Sequence, residues 1–167
     1  MTNLKIFDFD STLVLKPTIY EWGVSEDEED SGYMETKKSL EYDFQLNDLV
    51  LAEYKKAKRC NKTIILLLTN RTYKLEKDLL DLLIDMDIYI DIPLFRKNDR
   101  SKGNRLKKLL NEIPKIKNVE YYEDKDKHLF DVYNISGEFP DINFRLNKVF
   151  PDKIVEFVLF DNNGFSE

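Results

Sequence analysis

Four short stretches of this sequence carry side chains able to handle a phosphoryl group. The first is Asp8-Phe9-Asp10-Ser11-Thr12. Along an extended backbone, residues two apart point the same way, so Asp8 and Asp10 would face one site. Two carboxylates that close need a cation or a proton to coexist. A hard divalent ion with oxygen ligands suits them, Mg²⁺ before others. One carboxylate can then attack phosphorus while the other handles protons. The same residues would also serve an Asx-type turn leading into a helix cap.

The second stretch is Thr69-Asn70-Arg71. Thr69 offers a hydroxyl and a backbone N–H to a phosphoryl oxygen, and Arg71 can bind phosphate bidentately. Thr69 or Asn70 could equally cap a following helix. The third is Arg100-Ser101-Lys102-Gly103-Asn104, where a helix start attracts anions and Lys102 can neutralise a transferred group and hold the nucleophile. Its other reading is a solvated basic face. The fourth is Glu123-Asp124, able to complete a metal shell begun by Asp8 and Asp10, or simply to open a charged helix.

These stretches need elements to position them. Leu4 to Phe9 reads as a strand. Residues 14–44, with Pro17, Gly23, five consecutive acids at 26–30 and Gly32, read as a long, partly mobile loop or small insertion. Asn47 to Arg59 reads as a helix, and Thr63 to Thr69, apolar on both faces, as a central parallel strand. Helix Tyr73 to Asp85, strand Ile88 to Leu94 broken at Pro93, basic helix Ser101 to Asn111, strand Asn118 to Tyr122 and helix Asp126 to Tyr133 follow. Asn143 to Phe150 and Ile154 to Phe160 are strand-like and suited to a hairpin. Alternating strands and helices imply an α/β fold with a mainly parallel sheet and helices on both faces. Ligands bind such sheets at the carboxyl ends of the strands. An acid pair, a hydroxyl, a lysine and a second acid pair stand there, each after a successive strand.

In that order the residues resemble the haloacid-dehalogenase (HAD) superfamily. Asp8-Phe9-Asp10-Ser11-Thr12 is similar to its first motif, Thr69 to its second, Lys102 to its third and Glu123-Asp124 to its fourth, over about Leu4 to Phe130. The resemblance implies a Rossmann-like three-layer fold, Mg²⁺ and a phospho-aspartate. It makes Asp8 the nucleophile and Asp10 the general acid/base, with Thr69 and Lys102 holding the phosphoryl group. Asp8, Asp124 and the Asp10 carbonyl oxygen would hold the metal, with Glu123 either a ligand or a support for Asp124. Thr12, Arg71 and Arg105 are the candidate substrate-binding groups, and Arg105 competes with Lys102 as the third-motif cation. Pro17, Trp22, Thr69-Asn70-Arg71 and Tyr122-Glu123-Asp124-Lys125 with His128 further resemble the Swiss Army Knife RNA-repair-like branch and the phosphatase domain of polynucleotide kinase-phosphatases. That branch more often has Gly at Asn70, Asp at Glu123 and Arg at Lys125.

The 167 residues fit one domain, 1–167, with a real core. A net charge of −6 does not mark a general nucleic-acid binder. Arg96 to Lys108 nevertheless holds seven basic residues against one acid, a patch able to steer a phosphorylated substrate. The single cysteine, Cys60, suits a reducing compartment and reads as a partly buried spacer. Without a signal-like leader or an apolar run near the ~18 residues that span a bilayer, the expected location is cytoplasmic, with no membrane partner. His128, the lone histidine, could line the site or make a local helix hydrogen bond; Trp22 could stack on a base or pack on the core. An insertion of this size replaces a large cap domain, and the open site would admit an RNA or DNA end. The expected activity is therefore phosphomonoester hydrolysis, on nucleic-acid ends in the sharpest form. Small nucleotides, metabolites or phosphoproteins are alternative substrates, and a non-catalytic binding module is the alternative class. Protein partners are not readable.

Overall fold

The structure, a computed structural model, describes residues 2–17 and 30–157. Its centre is β1 (Thr2–Phe7), whose apolar residues alternate between two cores. Phe7 faces one with Ile65, Leu67 and Tyr122. Leu4 and Ile6 face the other with Leu66, Leu68 and Tyr121. This is the period-two pattern of a strand covered on both sides.

Two two-residue strands, β2 (Val14–Leu15) and β3 (Gln45–Leu46), pair antiparallel and close the base of the insertion. Between them lie a short helix, α1 (Asp30–Met34), and a 3-10 turn at Lys37–Leu40. The segment read as one long loop therefore has regular structure; residues 18–29, including Trp22 and most of the acidic run, are outside the described residues. Helix α2 (Asp48–Lys58) is capped by Asn47, whose side chain accepts from the Leu49 N–H at 3.1 Å. Strand β4 (Thr63–Thr72), helix α3 (Glu76–Asp85) and strand β5 (Ile92–Arg96) follow. Then come α4 (Lys102–Glu112), β6 (Ile116–Glu123), α5 (Asp126–Ser136), β7 (Asn143–Val149) and β8 (Ile154–Glu156).

The six-stranded sheet runs β5-β4-β1-β6-β7-β8, with β8 alone antiparallel, paired to β7 as the expected hairpin. Helices α2 and α3 contribute to one core; α4 and α5 contribute to the other. The chemistry-bearing turns meet where the strand order reverses around β1, between β4 and β6, the place where such sheets bind ligands.

Strand boundaries and one burial differ from expectation. The strand placed at Ile88 to Leu94 begins at Ile92 and runs through Pro93 to Arg96. It is an edge strand, so the missing proline N–H costs no ladder bond on its open side. Ile88 is buried, but in the connector, its N–H bonded to Leu83 O. Cys60, expected partly buried, is exposed in the tight turn that follows α2.

Candidate functional site

Asp8 sits one residue past β1, its N–H given to Tyr122 O at 3.1 Å. The chain reverses there: Thr12 N–H bonds Phe9 O, Leu13 N–H bonds Asp8 O, and Val14 N–H bonds Phe9 O. Ser11 makes this possible at φ 60, a left-handed conformation that non-glycine residues rarely hold. The turn swings Thr12 back so that its hydroxyl donates to Asp8 Oδ2 at 3.1 Å. Both residues are buried.

Lys102, the first residue of α4, is 1% exposed. Its ammonium donates to Asp8 Oδ1 at 2.9 Å and to Glu123 Oε1 at 2.5 Å. Arg105, the rival cation, points elsewhere: it donates to Thr69 O (2.7 Å), Leu94 O (3.1 Å) and the Asn70 side chain, tying α4 to the ends of β4 and β5. The cation at Asp8 is thus Lys102. Its N-cap, Ser101, accepts from Asn104 N–H at 3.0 Å, and the anion at this helix start is an internal carboxylate, Asp131.

Glu123 closes β6. Its Oε1 accepts from Lys102 and from the Tyr121 hydroxyl (2.7 Å); its Oε2 accepts from the Asp124 and Lys125 N–H groups (2.9 and 3.3 Å). Four donors fill the lone pairs a carboxylate offers. Asp124 is the opposite case. Its Oδ1 is the one buried side-chain polar atom without a partner among the described residues. An orphaned buried acceptor is costly and calls for an ion or water.

Asp10 and Arg71 form a separate unit. Arg71 Nε and Nη2 donate to Asp10 Oδ2 and Oδ1 at 2.9 and 2.8 Å, a two-pronged fork. Arg71 Nη1 donates to Met34 O (2.8 Å) and Ser39 Oγ (2.5 Å) in the insertion. Arg71 is therefore engaged with Asp10 and the insertion. Thr69 Oγ1 accepts the Arg71 N–H at 3.1 Å, because β4 continues to Thr72; the residue that caps the next turn is Thr72, neither Thr69 nor Asn70.

Asp8, Asp10, Thr69, Arg71, Lys102, Glu123 and Asp124 line one cleft of about 530 Å³, and Thr12 and Arg105 stand outside its lining. Arg100, Lys125 and Lys127 stand exposed on its wall without ion-pair partners among the described residues. His128, in the first turn of α5, is buried against it. Burial first, and then the charge of Lys102, lower its pKa to about 4 and keep the imidazole neutral.

Carboxylate oxygens of Asp8, Glu123 and Asp124 lie within 4.8 Å of one another. The Asp10 carboxylate is outside this trio. Three acids face one ammonium. Without a further cation the excess is met by protons: burial and then Glu123 push Asp8 well up, and the same causes push Asp124 to about 7. Glu123 moves the other way; burial opposes ionisation there, but Lys102 beside it prevails. The donor set is hard oxygen, its residual charge matches a divalent ion, and Asp124 Oδ1 lacks a partner. A hard divalent cation such as Mg²⁺ fits.

Sequence reasoning reads Tyr121 as packing in the sheet, with no site role, and does not single out Ser39 or Asp131. Tyr121 had a signal, since it stands two residues before Glu123 on one face of a strand. Ser39 and Asp131 had none, being tertiary partners from remote segments.

No protein-family model matches this sequence, and no curated protein matches it. The fold is shared with a chain of a solved structure, "Structure of Pnkp1/Rnl/Hen1 complex", at a TM-score of 0.57 and 17% identity. The match covers 90% of this chain and 47% of that one, so the chain spans about half of its neighbour's length. At this identity the likeness is one of fold. Among the described residues, no helix is long and apolar enough to cross a membrane.

Proposed function

We propose that this chain is a HAD-type, Mg²⁺-dependent phosphomonoester hydrolase that passes the phosphoryl group through Asp8. The observation that carries the reading is Asp8 buried at the floor of the cleft, oriented by Thr12 and Lys102, beside the unpartnered Oδ1 of Asp124. Asp8 and Asp124 would hold the ion directly, while Glu123, its oxygens already filled, fixes Asp124 and Lys102. When bound, Mg²⁺ would supply charge neutralisation at the crowded oxygens.

The chain's own residues do the rest. An Asp8 oxygen attacks phosphorus in line, and the ester oxygen leaves with a proton from Asp10. Water then attacks phosphorus, giving its proton to Asp10 and releasing inorganic phosphate and the Asp8 carboxylate. Lys102 and Thr69 stabilise the phosphoryl oxygens. Arg71 holds the orientation of Asp10, and each Asp10 oxygen retains a lone pair outside the fork for a proton.

Nucleic-acid ends are the substrate class this reading favours. The exposed Arg100, Lys125 and Lys127 would track a polyanion's neighbouring phosphates. The fold likeness to a chain of a complex named for Pnkp1, Rnl and Hen1 is in keeping with that. Asp8→Asn abolishes Mg²⁺-dependent phosphate release while the melting temperature is maintained; retained turnover sinks the mechanism. At matched salt, a 3′-phosphorylated oligonucleotide is processed at least about tenfold faster than the 3′-mononucleotide, an advantage that added salt erodes. Equal rates remove the nucleic-acid part and leave a small-molecule phosphatase.

A further inference from the structure

Lys102 is gripped from two sides. In front are Asp8 and Glu123; behind, its two chain neighbours are tied to a residue of another helix. Asp131, on α5, accepts from Ser101 Oγ at 2.7 Å and from Gly103 N–H at 2.8 Å, both on its Oδ2. The approach is close: a Cβ on Gly103 would stand 2.7 Å from Asp131 O and 2.8 Å from Asp131 Oδ1. Real Cβ atoms do not tolerate such contacts, so only glycine lets α4 dock here. One carboxylate oxygen thus takes a hydroxyl and an otherwise orphan N–H at the helix start, where negative charge is favoured.

We propose that Asp131 is a positioning residue for Lys102. By pinning Ser101 and Gly103, it sets the register of α4's first turn against α5, and with it the reach of the Lys102 ammonium to Asp8 and Glu123. Helix α5 begins just after Asp124, so the latch joins the lysine and the acid pair into one rigid unit. A loosened α4 start leaves Lys102 chemically intact but misplaced, and small displacements of charge at a reacting centre are costly. The catalytic consequence rests on the phosphoryl-transfer reading above; the geometric one does not.

The test uses the full chain and two readouts. Native-state lysine acetylation followed by mass spectrometry reports access to Lys102, with exposed Lys77 as the reactive reference and buried Lys5 as the control for general loosening. Asp131→Ala raises Lys102 labelling at least about tenfold relative to Lys77 and leaves Lys5 unchanged, as expected when a side chain loses its fixed packing. Turnover falls about tenfold with KM within about twofold, the pattern of a misplaced transition-state group. Asp131→Asn, which keeps the volume, moves both readouts the same way and carries the test if the alanine variant does not fold. In a Lys102→Met background, Asp131→Asn lowers turnover no further. Unchanged Lys102 labelling in the folded variants, parallel exposure of Lys5, or rate losses that multiply in the double variant overturn the proposal. If Asp8→Asn retains turnover, the phosphoryl-transfer reading falls and the labelling alone decides the latch.

Discussion

Two buried lysines in this protein sit on opposite faces of the same sheet, in clusters with similar parts. Lys102 meets Asp8 and Glu123, with the Tyr121 hydroxyl on Glu123. Lys5 meets Glu53 at 3.0 Å and Glu120 at 3.8 Å, with the Tyr122 hydroxyl 3.1 and 2.9 Å from the same two acids. Tyr121 and Tyr122 are sequence neighbours, and strand geometry sends them to opposite cores. The difference lies in the balance. Around Lys5, a second cation, Lys56, also pairs with Glu53, giving two acids and two ammonium groups. Burial opposes ionisation of Glu53, but its hydrogen bonds from Lys5 and Lys56 win and lower its pKa. Around Lys102, Asp124 adds a third acid with an orphan oxygen, and the pKa values of Asp8 and Asp124 rise. The Lys5 cluster is complete without a ligand, while the Lys102 cluster has excess negative charge facing a cleft. Perturbed, under-compensated carboxylates in a cleft point to function; balanced ones point to stability.

The largest expected contrast comes from removing each ammonium. Lys102→Met lowers turnover by about a hundredfold or more, the scale of losing one oriented charge in a preorganised site. Lys5→Met leaves turnover within about threefold but destabilises the fold by about 2 kcal/mol, since it strands part-buried acids. Denaturant melts and steady-state rates read both. Equal activity losses in the two variants would erase the distinction between the clusters.

Next in size is the response to Mg²⁺. A site that binds the ion only when folded gains about 2.7 kcal/mol at a hundredfold excess over Kd. Thermal melts of the parent protein rise with Mg²⁺, and Asp124→Asn removes most of that rise. Glu53→Gln leaves the rise intact, although it too removes a part-buried acid. A full Mg²⁺ response in Asp124→Asn breaks the assignment of the orphan oxygen to the ion.

The smallest effect is a pair of opposed pH slopes in metal-free protein. The folded pKa of Asp124 lies near 7, above its ordinary 3.8, so its contribution is present at low pH and is lost as pH rises toward 7. His128 is depressed to about 4 from 6.5, so its contribution is present above 6.5 and is lost as pH falls toward 4. Asp8, also pushed up, adds to the Asp124 slope, so between about pH 4.5 and 6 the two acids together outweigh His128, each group changing stability by at most about 1.4 kcal/mol per pH unit. His128→Asn steepens the fall of stability with rising pH in that window, and Asp124→Asn makes it shallower. Denaturant midpoints across the window check the signs, and Mg²⁺ flattens the Asp124 slope.

The strand-helix alternation and the order of the four reactive stretches were legible in the sequence, because period-two and helical apolar patterns are local properties of a chain. So was Asp8, since a strand end determines where its next residue points. Strand limits were less legible: β4 runs past Thr69 because pairing with β5 carries it on, and β5 tolerates Pro93 because it is an edge strand. The choice of Lys102 over Arg105 was open in the sequence, as both begin the same helix. Tertiary packing decided it, sending Arg105 to carbonyls of β4 and β5 and Lys102 to Asp8. Packing likewise tied Arg71 to Asp10 and filled the oxygens of Glu123 while leaving Asp124 Oδ1 without a partner. Spacing in sequence determines which residue types reach the strand ends. Which charge meets which, and which acceptor lacks a partner, depends on distances between segments far apart in the chain, and those exist only once it has folded.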